Sequence, residues 1–172
     1  MSTVPLSSNF IAPGGSTRWE PQRTFNYYIQ IPGLAADRVI MLACESADFP
    51  KVNNAPITVG YFNDEVKVAG RAKVENATVV IRDWCTEVVA KYLADWRRKV
   101  YDPESGAIGF ASDYKHDIYL FWTDPQAGHD RQFKLTGAWP QSLDFGKGDH
   151  TQDADIVKVN MTITYDFAFI LE

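Results

Sequence analysis

The hydrophobic and polar residues of this chain alternate with a period of two over most of its length. The alternation covers residues 27–31, 77–81 and 133–139, and it is longest at the C-terminal end. There, every second position is apolar: Val157, Val159, Met161, Ile163, Tyr165, Phe167, Phe169 and Leu171. Such alternation is typical of half-buried β-strands. It predicts a strand over Asp155–Leu171 with a dry face and a wet face. A strand of that length spans about 55 Å, so a bend or bulge could divide it.

A β-hairpin is predicted in the middle of the chain. The apolar positions shift from odd to even numbers after Asn63-Asp64. A two-residue turn at Asn63-Asp64 pairs Tyr61 with Val66 and Val59 with Val68, so that the apolar side chains share one face.

Two segments depart from the period of two. Arg38–Cys44 is a short apolar run, typical of a strand buried on both faces. Residues 86–101 form an amphipathic helix pattern, with Thr86 as a plausible N-cap and apolar residues at helical spacing: Val88, Val89, Tyr92, Leu93 and Trp96. The basic run at 97–99 suits the C-terminal end of a helix, and we interpret it as a solvated helix end rather than a phosphate site. The chain is therefore predicted to be mainly β, a small β-barrel or sandwich with one flanking α-helix over about residues 86–101.

The first 24 residues differ from the rest of the chain. They are rich in Ser, Thr, Pro and Gly, yet they include Phe10, Ile11 and Trp19. Such a stretch cannot bury its own core, which leaves two alternatives: a disordered tail, or an extended arm that docks on a neighbouring subunit through its aromatic residues. We divide the chain into an N-terminal arm, residues 1–24, and a β-barrel domain, residues 25–172.

Composition and charge narrow the classes of function. The chain has 172 residues, a formal net charge of -5 and 13% aromatic residues. These values exclude a wholly disordered chain and a generic cationic nucleic-acid binder. No apolar run reaches the ~18 residues of a membrane span, and residues 1–16 lack the features of a secretory signal. We therefore expect a protein without membrane contact, made in a reducing cytoplasm, with Cys44 and Cys85 as free thiols.

Motifs for catalysis or cofactor binding are absent from the sequence. It contains no nucleophile elbow, no phosphate-binding P-loop and no zinc-protease motif. Two short clusters contain the residue types that ligate metals, and we interpret both as solvated loops rather than metal sites. They are Asp113, His116 and Asp117, and His150, Asp153 and Asp155. The expectation is a protein without catalytic residues, metal or cofactor.

Several segments, in order, resemble a known family. These are the opening strand Phe25–Leu34 with its sequence FNYYIQIPGL, the single mid-chain helix bearing Trp96, the motif Gly137–Pro140, an acidic loop over residues 144–155 and the long closing strand. Together they resemble tail tube proteins of contractile-tailed bacteriophages, and also the tube subunits of type VI secretion systems and phage-tail-like bacteriocins. The resemblance covers roughly residues 25–170.

The resemblance implies a structural virion protein of a ring-forming, tail-tube-like fold. Hexameric rings would stack into a hollow conduit for DNA, with the chain as part of a virion tail assembled in the host bacterial cytoplasm. The implied partners are other copies of the chain, the sheath, the baseplate hub, the tail terminator, a tape measure protein in the lumen, and DNA as a passing cargo.

Two sets of residues are expected to carry this function. The subunit interface is assigned to the arm and the hairpin: Phe10, Ile11, Trp19, Ile57, Val59, Tyr61, Phe62, Val66 and Val68. The polar face of the closing strand is assigned to the lumen, because it offers few cations to phosphates: Asn160, Thr162, Thr164 and Asp166. The alternative is that this face meets the sheath or solvent. The alternatives are a secretion-system or bacteriocin tube subunit, a monomeric β-barrel that binds a ligand through the aromatic run Tyr119–Trp122, and, least favoured, an enzyme with an unrecognised carboxylate pair.

Overall fold

The computed structural model describes residues 22–34, 37–85, 89–124, 129–151 and 155–171. The described elements are β1 (Tyr27–Gln30), α1 (Asp37–Ala43), β2 (Cys44–Ala47), β3 (Val52–Tyr61), β4 (Asp64–Val74), β5 (Ala77–Arg82), α2 (Val89–Val100), α3 (Ala111–Tyr114), β6 (His116–Thr123), β7 (His129–Asp144), β8 (Lys158–Thr164) and β9 (Phe167–Leu171). The predicted mainly β class is confirmed.

Seven strands form one antiparallel sheet in the order β1-β6-β7-β8-β5-β2, with β9 paired to β7 beside β8. The alternating apolar residues of these strands face one common core, which is filled by side chains, as expected for a barrel of this size. The two edge strands, β1 and β2, lie close together. Phe49, which follows β2, stacks on Trp122 of β6 with 4.3 Å between ring centroids, and so helps to close the barrel.

The predicted flanking helix is present as α2, and its proposed N-cap, Thr86, lies outside the described residues. Val89, Leu93, Trp96 and Val100 form its buried stripe over the core. The indole of Trp96 donates a hydrogen bond of 2.7 Å to the carbonyl of Tyr114, which ties α2 to α3.

The predicted strand over Arg38–Cys44 is wrong, because most of this segment is helix α1 and only Cys44 begins a strand. Ile40 and Ala43, three positions apart, are buried, whereas Leu42 is 69% exposed. Such one-sided burial is the pattern of a helix rather than of a strand buried on both faces. The Asp37 carboxylate accepts a hydrogen bond of 2.6 Å from the backbone amide of Ile31, which anchors the start of α1 to the end of β1.

The closing strand is divided into β8 and β9 at Tyr165-Asp166, and the predicted dry face holds only in β8. Val159, Met161 and Ile163 are fully buried, whereas Phe167 and Phe169 are 62% and 52% exposed. The inward position changes parity at the break, since half-buried Ala168 packs against the core in β9.

The parity change has its cause in the neighbouring strand. β7 pairs with both segments, from Thr136 opposite Phe167 to Trp139 opposite Thr164. Between these pairs Gly137 has a φ of +67°, a conformation that favours glycine. On β7 the buried positions change from odd to even numbers at Gly137, since Leu135 is buried before it and Ala138 after it. The inward-facing positions of β7 and of the closing strand therefore change parity at the same place.

Candidate assembly surfaces

The most exposed element of the described chain is the hairpin β3–β4, which forms a two-stranded sheet separate from the seven-stranded one. We call its apolar side the hairpin surface. Its members are exposed by 48% to 93%: Val68, Val59, Ile57, Val66, Tyr61 and Phe62. The cross-strand pairs Ile57–Val68 and Val59–Val66 place these side chains on one face, as predicted. The surface is therefore a continuous apolar ridge with no described neighbour to cover it.

The predicted register of the hairpin is wrong by two residues. Val59 lies opposite Val66 and Tyr61 opposite Asp64, so the turn residues are Phe62 and Asn63. Phe62 has a φ of 53°, which is the positive φ that primed hairpin turns require at their first central residue. The aromatic side chain is thereby carried at the tip, 93% exposed. Phe10, Ile11 and Trp19, which were assigned to the same interface, lie outside the described residues.

The residues assigned to the lumen lie on the outward face of β8 and at the break that follows it. Asn160 is exposed, and Thr162 and Thr164 are half-buried, on the face opposite the core. The hydroxyl of Thr164 lies 2.9 Å from Oε1 of Gln141, within hydrogen-bond distance. Asp166 accepts a hydrogen bond of 2.7 Å from Lys115. The outward face of β8 is thus polar, while its inward face is apolar.

Lys158 lies on the same face of β8, and a neighbouring carboxylate neutralises its charge. Its Nζ donates to Glu45 at 2.8 Å, and Nε of Arg82 donates to the other oxygen of the same carboxylate at 3.0 Å. The hydrogen bond from Lys158, followed by that from Arg82, lowers the pKa of Glu45. One carboxylate therefore joins β2, β5 and β8 and engages two cations.

The same arrangement recurs on the other half of the sheet. Lys134 of β7 pairs with Asp117 of β6 at 2.7 Å, and the hydrogen bond from Lys134 lowers the pKa of Asp117. Together with the Lys115–Asp166 pair, this gives four outward-facing cations that each have a carboxylate partner: Arg82, Lys115, Lys134 and Lys158.

Sequence reasoning missed a second apolar surface, on β9. Phe167, Phe169 and Ile170 are at least half exposed, at 62%, 52% and 66%. Strand β9 pairs with β7 along one edge, and no strand in the described ranges pairs with its other edge. The alternation in the sequence predicted that Phe167 and Phe169 are buried. The residue that reverses this prediction, Gly137, lies on the partner strand β7.

The described residues of the first candidate metal cluster contact other side chains instead. Asp117 pairs with Lys134, Asp113 accepts a hydrogen bond from Ser112, and His116 packs against Trp96. Burial, followed by the charge of Lys99, lowers the pKa of His116. In the second cluster, Asp153 lies outside the described residues. No group of three or more potential metal ligands occurs in the described part of the chain.

Among the described residues, no helix has the length and apolarity needed to traverse a bilayer.

No protein-family model matches the chain, and no curated protein matches its sequence. Solved structures do match its fold. The anti-feeding prophage cap, described as the AFP tube terminating cap, aligns with a TM-score of 0.70 over 98% of this chain and 99% of that chain, at 16% identity. The PVC sheath/tube terminator of an extracellular contractile injection system, in its extended state, aligns with a TM-score of 0.68 over 89% and 98%, at 15% identity.

A third structure, the PVC sheath-tube complex in the extended state, aligns with a TM-score of 0.66 over 98% of this chain and 99% of that chain, at 15% identity. The alignments span nearly the whole length of both partners, so the likeness concerns the entire barrel with its helix and hairpin. The chain therefore has the fold found in these tube, terminator and cap structures of contractile injection systems.

Proposed function

We propose that the chain is a tube-type structural subunit of a contractile injection system, which assembles with copies of itself into stacked rings around a hollow bore. The fold shared with tube, terminator and cap structures supports a structural subunit rather than an enzyme. The exposed apolar hairpin and the filled core of the barrel support self-assembly.

The observation that carries the proposal is the hairpin surface. An isolated two-stranded hairpin is marginally stable in water, and this one projects a ridge of six apolar side chains that no described residue covers. Contiguous exposed apolar patches on soluble proteins mark contact sites. The hairpin surface, with Phe10, Ile11 and Trp19 of the arm, is accordingly the proposed interface with neighbouring subunits.

The filled core explains why assembly is needed. Because side chains occupy the interior of the barrel, a bore wide enough for a macromolecule can form only between copies. Subunits joined through two different patches close into rings, and rings stack into tubes. We propose six copies per ring, with the sheath, baseplate hub and tail terminator as outer and end partners. The fold supports a second version of this function equally well, in which the chain forms a single ring that ends the tube, as a terminator.

The polar face of β8 is the proposed lining of the bore. Asn160, Thr162, Thr164 and Asp166 offer no free cation, and Lys158 beside them is held by Glu45. Lys and Arg contacts with phosphates dominate DNA affinity, so a surface whose cations are already paired allows DNA to slide through. A tape measure protein would occupy the same lumen before DNA passage. In a phage, the proposed location is the virion tail, assembled in the host bacterial cytoplasm.

Size-exclusion chromatography with light scattering, together with negative-stain microscopy, tests self-assembly. We expect rings or tubes from the wild-type chain and loss of assembly in Val59→Asp, because the charge lies in the centre of the hairpin surface. The matched control is Thr58→Asp, which adds the same charge to the neighbouring position of β3 on the opposite face. Circular dichroism would check that both variants stay folded.

The outcomes separate the hypotheses. A wild-type chain that stays monomeric at high concentration would refute the tube proposal and favour the monomeric binding module. Assembly that survives Val59→Asp would remove the hairpin from the interface. A reconstruction of the ring with Asn160 and Thr162 outside the bore would refute the lining.

A further inference from the structure

A groove lies between the C-terminal end of α2 and the last part of β7. Its volume is about 560 Å³, which falls within the range of small-ligand and peptide sites. Arg97, Tyr101 and Glu104 line it from α2 and the segment after that helix, and Gln141, Leu143 and Phe145 line it from β7 and the residue after that strand. Tyr101 and Phe145 are 44% and 47% exposed, so their rings offer apolar contact area at the groove.

The side chain of Arg97 has an unsatisfied donor within the described part of the chain. Its Nη1 atom is shielded from solvent and makes no hydrogen bond. The next residue, Arg98, provides a contrast, because it is paired with Asp102 at 3.1 Å and with Glu104 at 2.8 Å. A guanidinium group has five donors in a fork that matches a carboxylate, and leaving a shielded donor unpaired costs free energy. Arg97 is therefore a cation at the groove with an unsatisfied donor, whereas Arg98 and Lys99 of the same helix end are exposed.

The opposite side of the groove includes a strand edge. From Trp139 to Asp144, one edge of β7 pairs with β8. The other edge pairs with β6 only as far as Ala138, opposite His116. Beyond Ala138 no strand of the described chain pairs with that edge, and Gln141 and Leu143 line the groove there. Such an edge can accept an added strand through backbone hydrogen bonds.

We propose that this groove binds an extended acidic segment of another protein. The segment would add to the edge of β7 beyond Ala138, place a carboxylate against Arg97 and pack apolar side chains on Tyr101 and Phe145. The strand edge requires an extended peptide, and the unsatisfied guanidinium donor requires an anionic group within it. The groove is lined from α2 and β7, and it adjoins the polar face proposed to line the bore, since the side chain of Gln141 contacts Thr164. The inference does not depend on assembly into a tube.

Fluorescence anisotropy on the full chain tests this proposal. The probe is a fluorescein-labelled eight-residue peptide of alternating valine and glutamate, compared with the same peptide in which glutamine replaces glutamate. We expect saturable binding of the glutamate peptide, and at least tenfold weaker binding to Arg97→Gln, since a charged hydrogen bond is lost. The control variant is Lys91→Gln, which removes one positive charge from an exposed position of the same helix and should leave affinity unchanged.

Two further measurements separate a specific site from general charge attraction. The glutamate peptide with N-methylated backbone amides on one edge should lose affinity if it adds to β7 as a strand. Hydrogen–deuterium exchange should show new protection at Gln141–Leu143 when the peptide is bound. No binding up to millimolar peptide, equal binding of the glutamine peptide, or equal loss in Lys91→Gln and Arg97→Gln would each overturn the proposal. A peptide-induced change in oligomeric state, without Arg97 dependence, would instead assign the groove to contacts between copies and also overturn it.

Discussion

Substitution of Gly137 by alanine should destabilise the chain, because the break between β8 and β9 depends on this glycine. Its φ of +67° is left-handed, and a Cβ there would overlap Oδ2 of Asp166 and lie 3.0 Å from its Cγ. The left-handed conformation costs a non-glycine residue about 1–2 kcal/mol. Displacing Asp166 also weakens its exposed ion pair with Lys115, which is worth at most about 1 kcal/mol. The expected loss is about 1–3 kcal/mol.

Urea unfolding followed by circular dichroism measures this loss. With a slope of about 2 kcal/mol per molar urea, the midpoint should fall by about 0.5–1.5 M. The control is Gly148→Ala, whose Cβ would meet nothing within 4 Å and whose φ is not left-handed; its change should stay within about 0.5 kcal/mol.

A double-mutant cycle separates the two causes of the loss. In a background carrying Asp166→Ala the side-chain overlap is absent, so Gly137→Ala should cost about 1 kcal/mol less than in the wild type. A wild-type midpoint in Gly137→Ala would refute the reasoning that the glycine sets the parity change. Equal costs in the two backgrounds would restrict its role to backbone conformation alone.

Two further predictions test the core and the paired cations. Ile163→Asp should unfold the chain, with a loss of more than about 4 kcal/mol, because it buries an unpaired charge. The control Asn160→Asp, on the exposed face, should change the free energy of unfolding by less than about 0.5 kcal/mol. A folded Ile163→Asp chain, measured by circular dichroism, would contradict the assignment of the buried face of β8. Glu45→Gln should destabilise the chain at neutral pH, because the pKa of Glu45 is lowered in the fold by Lys158 and Arg82. That stabilisation is present above the ordinary value of 4.5 and is lost as pH falls through the lowered pKa, so the urea midpoints of wild type and variant should converge as the pH falls below 4.5. A constant difference across pH would contradict this reasoning.

Local patterns in the sequence predicted much of the fold. The alternation of β1, β5 and β8 and the helical spacing of α2 predicted the elements and their buried faces, because one face of each packs on the core. The shared apolar face of the hairpin was also predicted. Its register was not, since an Asn63-Asp64 turn and a Phe62-Asn63 turn both bring the apolar residues to one side. Helix α1 was missed because a short apolar run does not distinguish a helix from a buried strand.

The sequence by itself determined that the chain is a β protein with one amphipathic helix and an apolar hairpin, since these depend on spacing between near neighbours. Only the tertiary structure decided which alternating residues face outward after Tyr165, because Gly137 on β7 reverses the faces of both strands. It also decided that Lys158 is neutralised, through Glu45 on β2, and that Arg97 is left with an unsatisfied donor at a strand edge. These properties depend on residues far apart in sequence, which come together only when the barrel closes.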